Sequence, residues 1–209
     1  MTQHVTGLVA ILRGVTPDEA VEVATAALDA GLDAVEVPFN SPDPLESVRR
    51  IRAAVGPDRR VGAGTVLTPD DVRRAADAGA SLVVSPHTRP DVVAEAVRLG
   101  LESYPGAATP TEAFAALDAG ATAIKVFPGT AVGTSGMRAW ASVLPAGTRL
   151  VPVGGVDAST LGDWARAGAD GAGIGTSLYR PGDAPATVGA RAAELARVWA
   201  AHTHRSTHH

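Results

Sequence analysis

The 209-residue chain contains no cysteine. That removes disulfides, thiolate zinc sites and thiol nucleophiles together, and it fits a reducing, cytoplasmic setting. Histidine is scarce as well: outside the tail "HTHRSTHH" only His4 and His87 remain. A histidine-rich zinc site needs more ligands, so no metal and no cofactor is expected, although a magnesium site of carboxylates is less firmly excluded. His202 and His204 fall in the tail, which is expected to fray from about 203 to 209. Aromatic residues make up only 4% of the chain, so the core has to come from Ala, Val, Leu and Ile. Basic charge is not in excess. The formal net charge is -4 with no basic face, which argues against a nucleic-acid partner. Long apolar runs are missing too. The start, "MTQHVTGLVAILRG", has no charged n-region and one short hydrophobic stretch, so neither a signal peptide nor a membrane partner is expected. There is no Walker A motif, and "GAGIGTS" is not G-x-G-x-x-G.

What the chain does have is repetition. Glycines recur every 20 to 27 residues, at Gly31, Gly56, Gly79, Gly100, Gly120, Gly147 and Gly168. Most follow an alanine-rich stretch and precede a short apolar run, as in "DAGLDAVEVPF" and "DAGATAIKVFPG". A glycine just past a helix end supplies the left-handed residue that stops the helix. Helix starts repeat as well. Thr16, Thr68 and Thr109 are each followed by proline, and the first and third also by the glutamate of a capping box. The pattern predicts strands near 8–13, 34–39, 60–65, 81–85, 102–106, 122–127, 149–153 and 171–175, each followed by a helix. Strands joined by helical crossovers run parallel and are buried on both faces. Eight such units close into a barrel or spread into a doubly wound sheet. The length suits a single (β/α)8 barrel over residues 1–209.

In such a barrel, chemistry sits at the C-terminal strand ends. The polar residues falling there are Arg13, Glu36, Thr65, Ser85, Lys125, the pair Gly154-Gly155, and Gly175, Thr176 and Ser177. By strand alternation Arg13 shares a face with Val9 and Ile11, Glu36 with Ala34, and Lys125 with Ala123 and Phe127. If those faces point inward, three ionisable groups converge in one apolar cup, each at a desolvation cost. A lysine there is a candidate nucleophile. Apolar neighbours and a nearby arginine lower its pKa, and only the neutral amine attacks a ketone. Glu36 opposes that shift and suits proton transfer. The glycine pair and "GTS" can turn N–H groups toward a phosphate. Plainer readings stand beside these. Lys125 and Glu36 could form a buried ion pair that fixes the fold, Arg13 could snorkel outward, and the glycines could be ordinary turns.

The stretches "AILRGVTPDEA", "AVEVPFNSPDPLESV", "GAGTVL", "PGAATPTEAFAALDAGATAIKVFPG", "VPVGGV" and "GIGTSLYR" together resemble the 2-keto-3-deoxy-6-phosphogluconate and -galactonate aldolases. The resemblance runs from about Leu8 to Tyr179. It implies a metal-independent class I aldolase on a (β/α)8 barrel, usually a homotrimer, acting on a phosphorylated keto sugar acid. It further implies Lys125 as the Schiff-base lysine, Glu36 as the general acid/base and Thr65 as a substrate contact. Gly154, Gly155, Gly175, Thr176 and Ser177 would be the phosphate loops. Phe127 would pack beside the pyruvyl unit. Gluconate-type members tend to carry an arginine four residues after the glutamate; here that position is Asn40, and an arginine instead ends strand one as Arg13. That resembles the galactonate type, with the carboxylate-binding arginine moved to the neighbouring strand. Asn40 could equally be an Asx-turn residue. Ser85 and Arg180 are further candidates. The implied reaction is cleavage of 2-dehydro-3-deoxy-6-phosphogalactonate. The gluconate epimer, dual specificity, a different phosphate-binding barrel such as an epimerase, and a non-catalytic sugar-acid sensor are the alternatives.

Overall fold

The computed structural model describes residues 7–203. His4, His204 and the remainder of the tail beyond Thr203 lie outside the described residues. The elements run β1 (Gly7–Ile11), α1 (Pro17–Asp29), β2 (Ala34–Pro38), α2 (Pro44–Val55), β3 (Arg60–Gly64), α3 (Pro69–Asp77), β4 (Leu82–Val84) and α4 (Pro90–Arg98). They continue with β5 (Glu102–Tyr104), β6 (Gly106–Ala107), α5 (Pro110–Asp118), β7 (Ile124–Val126), α6 (Gly129–Ala141), β8 (Leu150–Pro152), α7 (Leu161–Arg166), β9 (Gly171–Ile174) and α8 (Pro185–Thr203).

The strands pair in the orders β5-β4-β3-β2-β1-β9 and β6-β7-β8, all parallel. A parallel bridge between Val153 and Gly173 joins β8 to β9. The chain itself joins β5 to β6 across Pro105. The ring is therefore a (β/α)8 barrel. Pairing of β9 with β1 rules out the open doubly wound sheet. The strand expected over 102–106 is split because Pro105 has no N–H to give the ladder. Its carbonyl still accepts from the Lys125 N–H at 2.9 Å.

The helix starts follow from local chemistry. Thr68 and Thr109 accept from the N–H three residues on, and Thr16, Thr68 and Thr109 each donate their own N–H to the carboxylate there. At Thr68 that carboxylate is Asp71, so aspartate closes the box where only glutamate was expected.

Strand alternation sorts the apolar residues into two layers. Leu8, Ala10, Val35, Val61, Ile124 and Ile174 face the helices. Val9, Ala34, Leu82, Val84, Ala123 and Val151 fill the barrel interior. The interior of β3 is glycine at 62 and 64, and that of β9 is glycine at 171 and 173. A Cβ on Gly62 would sit 2.5 Å from the Leu82 carbonyl oxygen. Larger side chains on the other strands thus have space inside a narrow ring.

Candidate active site

Lys125 lies in the middle of β7, level with Val151 of β8 and Gly106 of β6. Glu36 lies in β2, level with Ile11 of β1 and Gly62 of β3. Both point inward and are buried, at 6% and 2% exposure. They share a chamber of about 10 Å³ with Val84, Tyr104 and Val151, space for about one water. Glu36 fits because the neighbouring strand gives way. A Cβ on Gly64 would sit 2.2 Å from the Glu36 Oε2 atom.

The two ionisable groups make no hydrogen bond or ion pair with each other, and Glu36 Oε2 has no partner among the described residues. Lys125 and Glu36 therefore do not form an ion pair that fixes the fold. Burial pushes the Glu36 carboxyl up to about 7, against the pull of the Lys125 and Arg13 charges. Burial also lowers the Lys125 ammonium; Glu36 opposes that shift and Arg13 adds to it. The Lys125 Nζ atom stands 4.6 Å from the centroid of the Phe127 ring. An amine of this kind, beside a carboxyl group titrating near neutrality, can act as nucleophile and proton carrier at ordinary pH.

Directly above lies a second cavity of about 490 Å³, lined by Arg13, Phe127, Gly154, Gly155, Gly175, Thr176, Ser177 and Arg180 among others. The two spaces share Ile11, Val153 and Gly173 as walls. A Cβ on Gly173 would come within 2.7 Å of Val153 Cγ2 and 3.2 Å of Ile11 Cδ1, so glycine keeps that wall thin.

At the far side of the larger cavity, backbone amides are left over. Gly154 and Gly155 take φ of 101° and 71°, a conformation open to glycine. Among the described residues, the N–H groups of Gly155, Thr176 and Ser177 donate to no protein acceptor. The Ser177 hydroxyl, by contrast, donates to the Val156 carbonyl at 2.8 Å, so its proton is already committed. Orphan amides converging on one cavity make an anion nest.

Arg13 departs from the expected convergence. It is exposed, and it lines the larger cavity rather than the inner chamber, because β1 ends at Ile11 and the chain turns outward beyond it. Its Nη1 donates to Asn40 Oδ1 at 2.5 Å. Asn40, beyond the end of β2, therefore meets the arginine beyond the end of β1. Thr65 follows β3 at φ 55°, a strained conformation for a β-branched residue. Ser85 is buried, with its N–H on the Tyr104 carbonyl at 3.1 Å. Thr65, Ser85 and Asn40 line neither cavity. Arg180 is at the rim, with its N–H on Asp183 at 2.9 Å. His202 lies in the last turn of α8, with Nδ1 on the Val198 carbonyl at 2.8 Å and the ring where a Gly162 Cβ would stand.

Sequence reasoning missed Gly64 and Gly173, whose role is to be absent side chains. Their signal was alternation within "GAGT" and "GAGIG". It also missed the second ionisable group inside the barrel, Arg60, Glu102 and Tyr104, at the opposite mouth.

The chain matches the family described as KDPG and KHG aldolase over residues 3–184. It is 44% identical to the 2-dehydro-3-deoxy-6-phosphogalactonate aldolase of Escherichia coli (strain K12), over 92% of this chain and 94% of that protein. A solved structure described as native KDPGal superposes with a TM-score of 0.92 at 43% identity, covering 94% of this chain and 96% of that one. A cube-shaped protein cage designed by fusing symmetric oligomeric domains superposes at 0.93 with 42% identity, over 96% of this chain and 74% of that one. With match and geometry in agreement, the chain belongs to the KDPG and KHG aldolases.

Proposed function

We propose that this aldolase cleaves 2-dehydro-3-deoxy-6-phosphogalactonate to pyruvate and glyceraldehyde 3-phosphate through a Schiff base on Lys125. The observation that carries the reading is a buried lysine beside a buried glutamate, with no ion pair between them, in a chamber that shares walls with a cavity bearing free backbone amides. The neutral Lys125 amine attacks the C2 ketone, and loss of water gives the iminium. Glu36, directly or through one water, takes the proton from the C4 hydroxyl. The C3–C4 bond then breaks, its electron pair moving into the iminium, and the aldehyde departs with its phosphate. The enamine left on Lys125 regains a proton at C3 from Glu36. Water then hydrolyses the pyruvate iminium and restores the free amine.

The remaining residues fall into place around that sequence. Arg13, oriented by Asn40, holds the substrate carboxylate. Phe127 packs beside the pyruvyl unit. The amides of Gly155, Thr176 and Ser177 hold the phosphate, with the Thr176 hydroxyl and Arg180 at the rim. Ser85 supports the end of β4. The iminium formed on the lysine is the electron sink, so the chemistry calls for no metal. Sodium borohydride with pyruvate should trap a covalent adduct that maps to Lys125 by peptide mass. An unmodified lysine under those conditions would refute the reading.

A second reading, the gluconate epimer or dual specificity, follows from the family description, which covers KDPG. The epimers differ only at C4, which one hydrogen bond can decide. Steady-state kcat/KM on both separates the two.

We further propose a homotrimer in the cytoplasm. The cage built from symmetric oligomeric domains supports an oligomer. So do Val97 and Phe114, exposed on α4 and α5 at 48% and 39%. Phosphate esters are charged and membrane-impermeant, which favours an intracellular substrate pool. Sedimentation equilibrium reads the stoichiometry directly.

A further inference from the structure

Two loops at the barrel mouth carry, on the proposed function, the groups for the two charged ends of the substrate. The loop between β1 and α1 carries Arg13. The segment after β9 carries Thr176 and Ser177. One carboxylate joins them across 160 residues of sequence: Glu19 Oε1 accepts from the Thr16 N–H at 3.1 Å and from the Tyr179 hydroxyl at 2.8 Å.

The bond is more than a helix cap with a bystander. At α3, Asp71 accepts from two backbone amides, Leu67 and Thr68. At α5, Glu112 likewise accepts from Ala108 and Thr109. At α1 the carboxylate takes one backbone amide only and turns its remaining capacity to Tyr179. That residue is 2% exposed and lines the larger cavity with Arg13. Burial raises the pKa of its hydroxyl, and so does Glu19, which keeps it a donor at working pH. The same corner is pinned elsewhere. The Gly14 N–H donates to Ser41 Oγ at 2.9 Å, and a Cβ on Gly14 would sit 2.7 Å from Pro181 Cγ. Arg13 therefore projects from a corner fixed to the β2–α2 loop on one side and to the post-β9 segment on the other.

We propose that Tyr179, acting through Glu19, is a positioning residue that sets the span between Arg13 and the phosphate amides, and so the preference for a phosphorylated over an unphosphorylated sugar acid. This rests on the function proposed above. The experiment compares 2-dehydro-3-deoxy-6-phosphogalactonate with its unphosphorylated counterpart, as a ratio of kcat/KM, in wild type, Tyr179→Phe, Glu19→Ala and the double variant. The ratio should fall about tenfold in each single variant, through KM of the phosphorylated substrate, and no further in the double. Glu19→Gln keeps an acceptor oxygen for both donors and should restore most of the ratio. Half-saturation for borohydride trapping of pyruvate should stay within about twofold, since the pyruvyl end is bound without the phosphate. Equal losses on both substrates, a lowered melting temperature with an unchanged ratio, or additive losses in the double variant would overturn the proposal. A wild type indifferent to the phosphate would overturn the phosphate reading, and this proposal with it.

Discussion

The barrel interior holds two groups of ionisable residues, and they are treated in opposite ways. At the N-terminal mouth, Arg60 Nη2 donates to Glu102 Oε2 at 2.5 Å and to the Tyr104 hydroxyl at 2.5 Å. The Tyr104 hydroxyl itself donates to Glu102 Oε2 at 2.7 Å. One layer higher, Lys125 on β7 and Glu36 on β2 are more deeply buried and make no hydrogen bond or ion pair with each other. A buried charge with its partners in place holds a structure together. A buried charge without them weakens the fold and persists where chemistry needs it. The lower group therefore reads as architecture and the upper as a reaction centre.

The largest effect should come from making one substitution in both groups. Lys125→Met removes a buried amine that has no hydrogen-bond partner among the described residues, so kcat should drop on the order of 10⁴-fold or more while stability rises by about 1–3 kcal/mol. Arg60→Met leaves Glu102 without its cation. The side chains are 18% and 24% exposed, so it should cost about 2–3 kcal/mol, below the fully buried case, with kcat within about threefold of wild type. Thermal unfolding and pyruvate release read both. Destabilisation by the Lys125 substitution would break the comparison.

Glu36→Gln comes next. It should lower kcat by about 10²–10⁴-fold with little change in KM, the range for loss of a positioned acid/base. It also has a pH signature. The native carboxyl titrates near 7 against an ordinary value of 4.5, so the folded protein binds the proton more tightly than the unfolded chain. Its contribution is full below about 4.5 and is lost as pH rises to about 7. Wild type should therefore lose about 3 kcal/mol over that window that Glu36→Gln does not lose. The lowered Lys125 acts in the opposite sense at higher pH, toward its ordinary value of 10.5. Parallel urea midpoints for the two proteins from pH 4.5 to 8 would contradict the assignment.

Much of this was legible in the chain because repetition and alternation are local. Threonine-proline caps and glycine stops marked the helices, and a lysine between Ile124 and Val126 was conspicuous on an apolar strand. Arg60 and Glu102 were not conspicuous. They sit at the first residues of β3 and β5, where a charge looks like an exposed strand end, and only ring closure makes them neighbours. The outward turn of Arg13 also escaped notice, because alternation says which face a residue is on but not where a strand stops. The role of Gly64 was not legible, since the residue it accommodates is on another strand.

Glycine substitutions on β3 sharpen the contrast between architecture and chemistry within one strand. Gly62→Ala drives a Cβ to 2.5 Å from the Leu82 backbone oxygen, which cannot yield, and should cost about 2–3 kcal/mol. Gly64→Ala drives one to 2.2 Å from the end of the Glu36 side chain, which can swing away. That variant should fold with near-normal stability and lose about 10²-fold in kcat, the cost of a misplaced catalytic group. A stable and fully active Gly64→Ala would mean that the carboxyl group acts from another position than the one seen.

The smallest effect belongs to Asn40, which lies outside both groups and shows a third way of handling charge. Arg13 is exposed, so water screens it and no desolvation cost has to be offset. What it lacks is a fixed direction, and one neutral acceptor, Asn40 Oδ1, supplies it. Asn40→Ala leaves the arginine in place but free to rotate. The loss should appear as a rise of about three- to fivefold in the KM for substrate and in the pyruvate half-saturation for borohydride trapping, with kcat nearly unchanged. Asn40→Asp should behave differently. It restores the acceptor but adds a negative charge that competes with the substrate carboxylate for Arg13, so KM should rise further than in the alanine variant. If aspartate instead restored wild-type KM, Arg13 would not be the group that meets the carboxylate, and the direction imposed by Asn40 would serve only to tie together the loops that follow the first two strands.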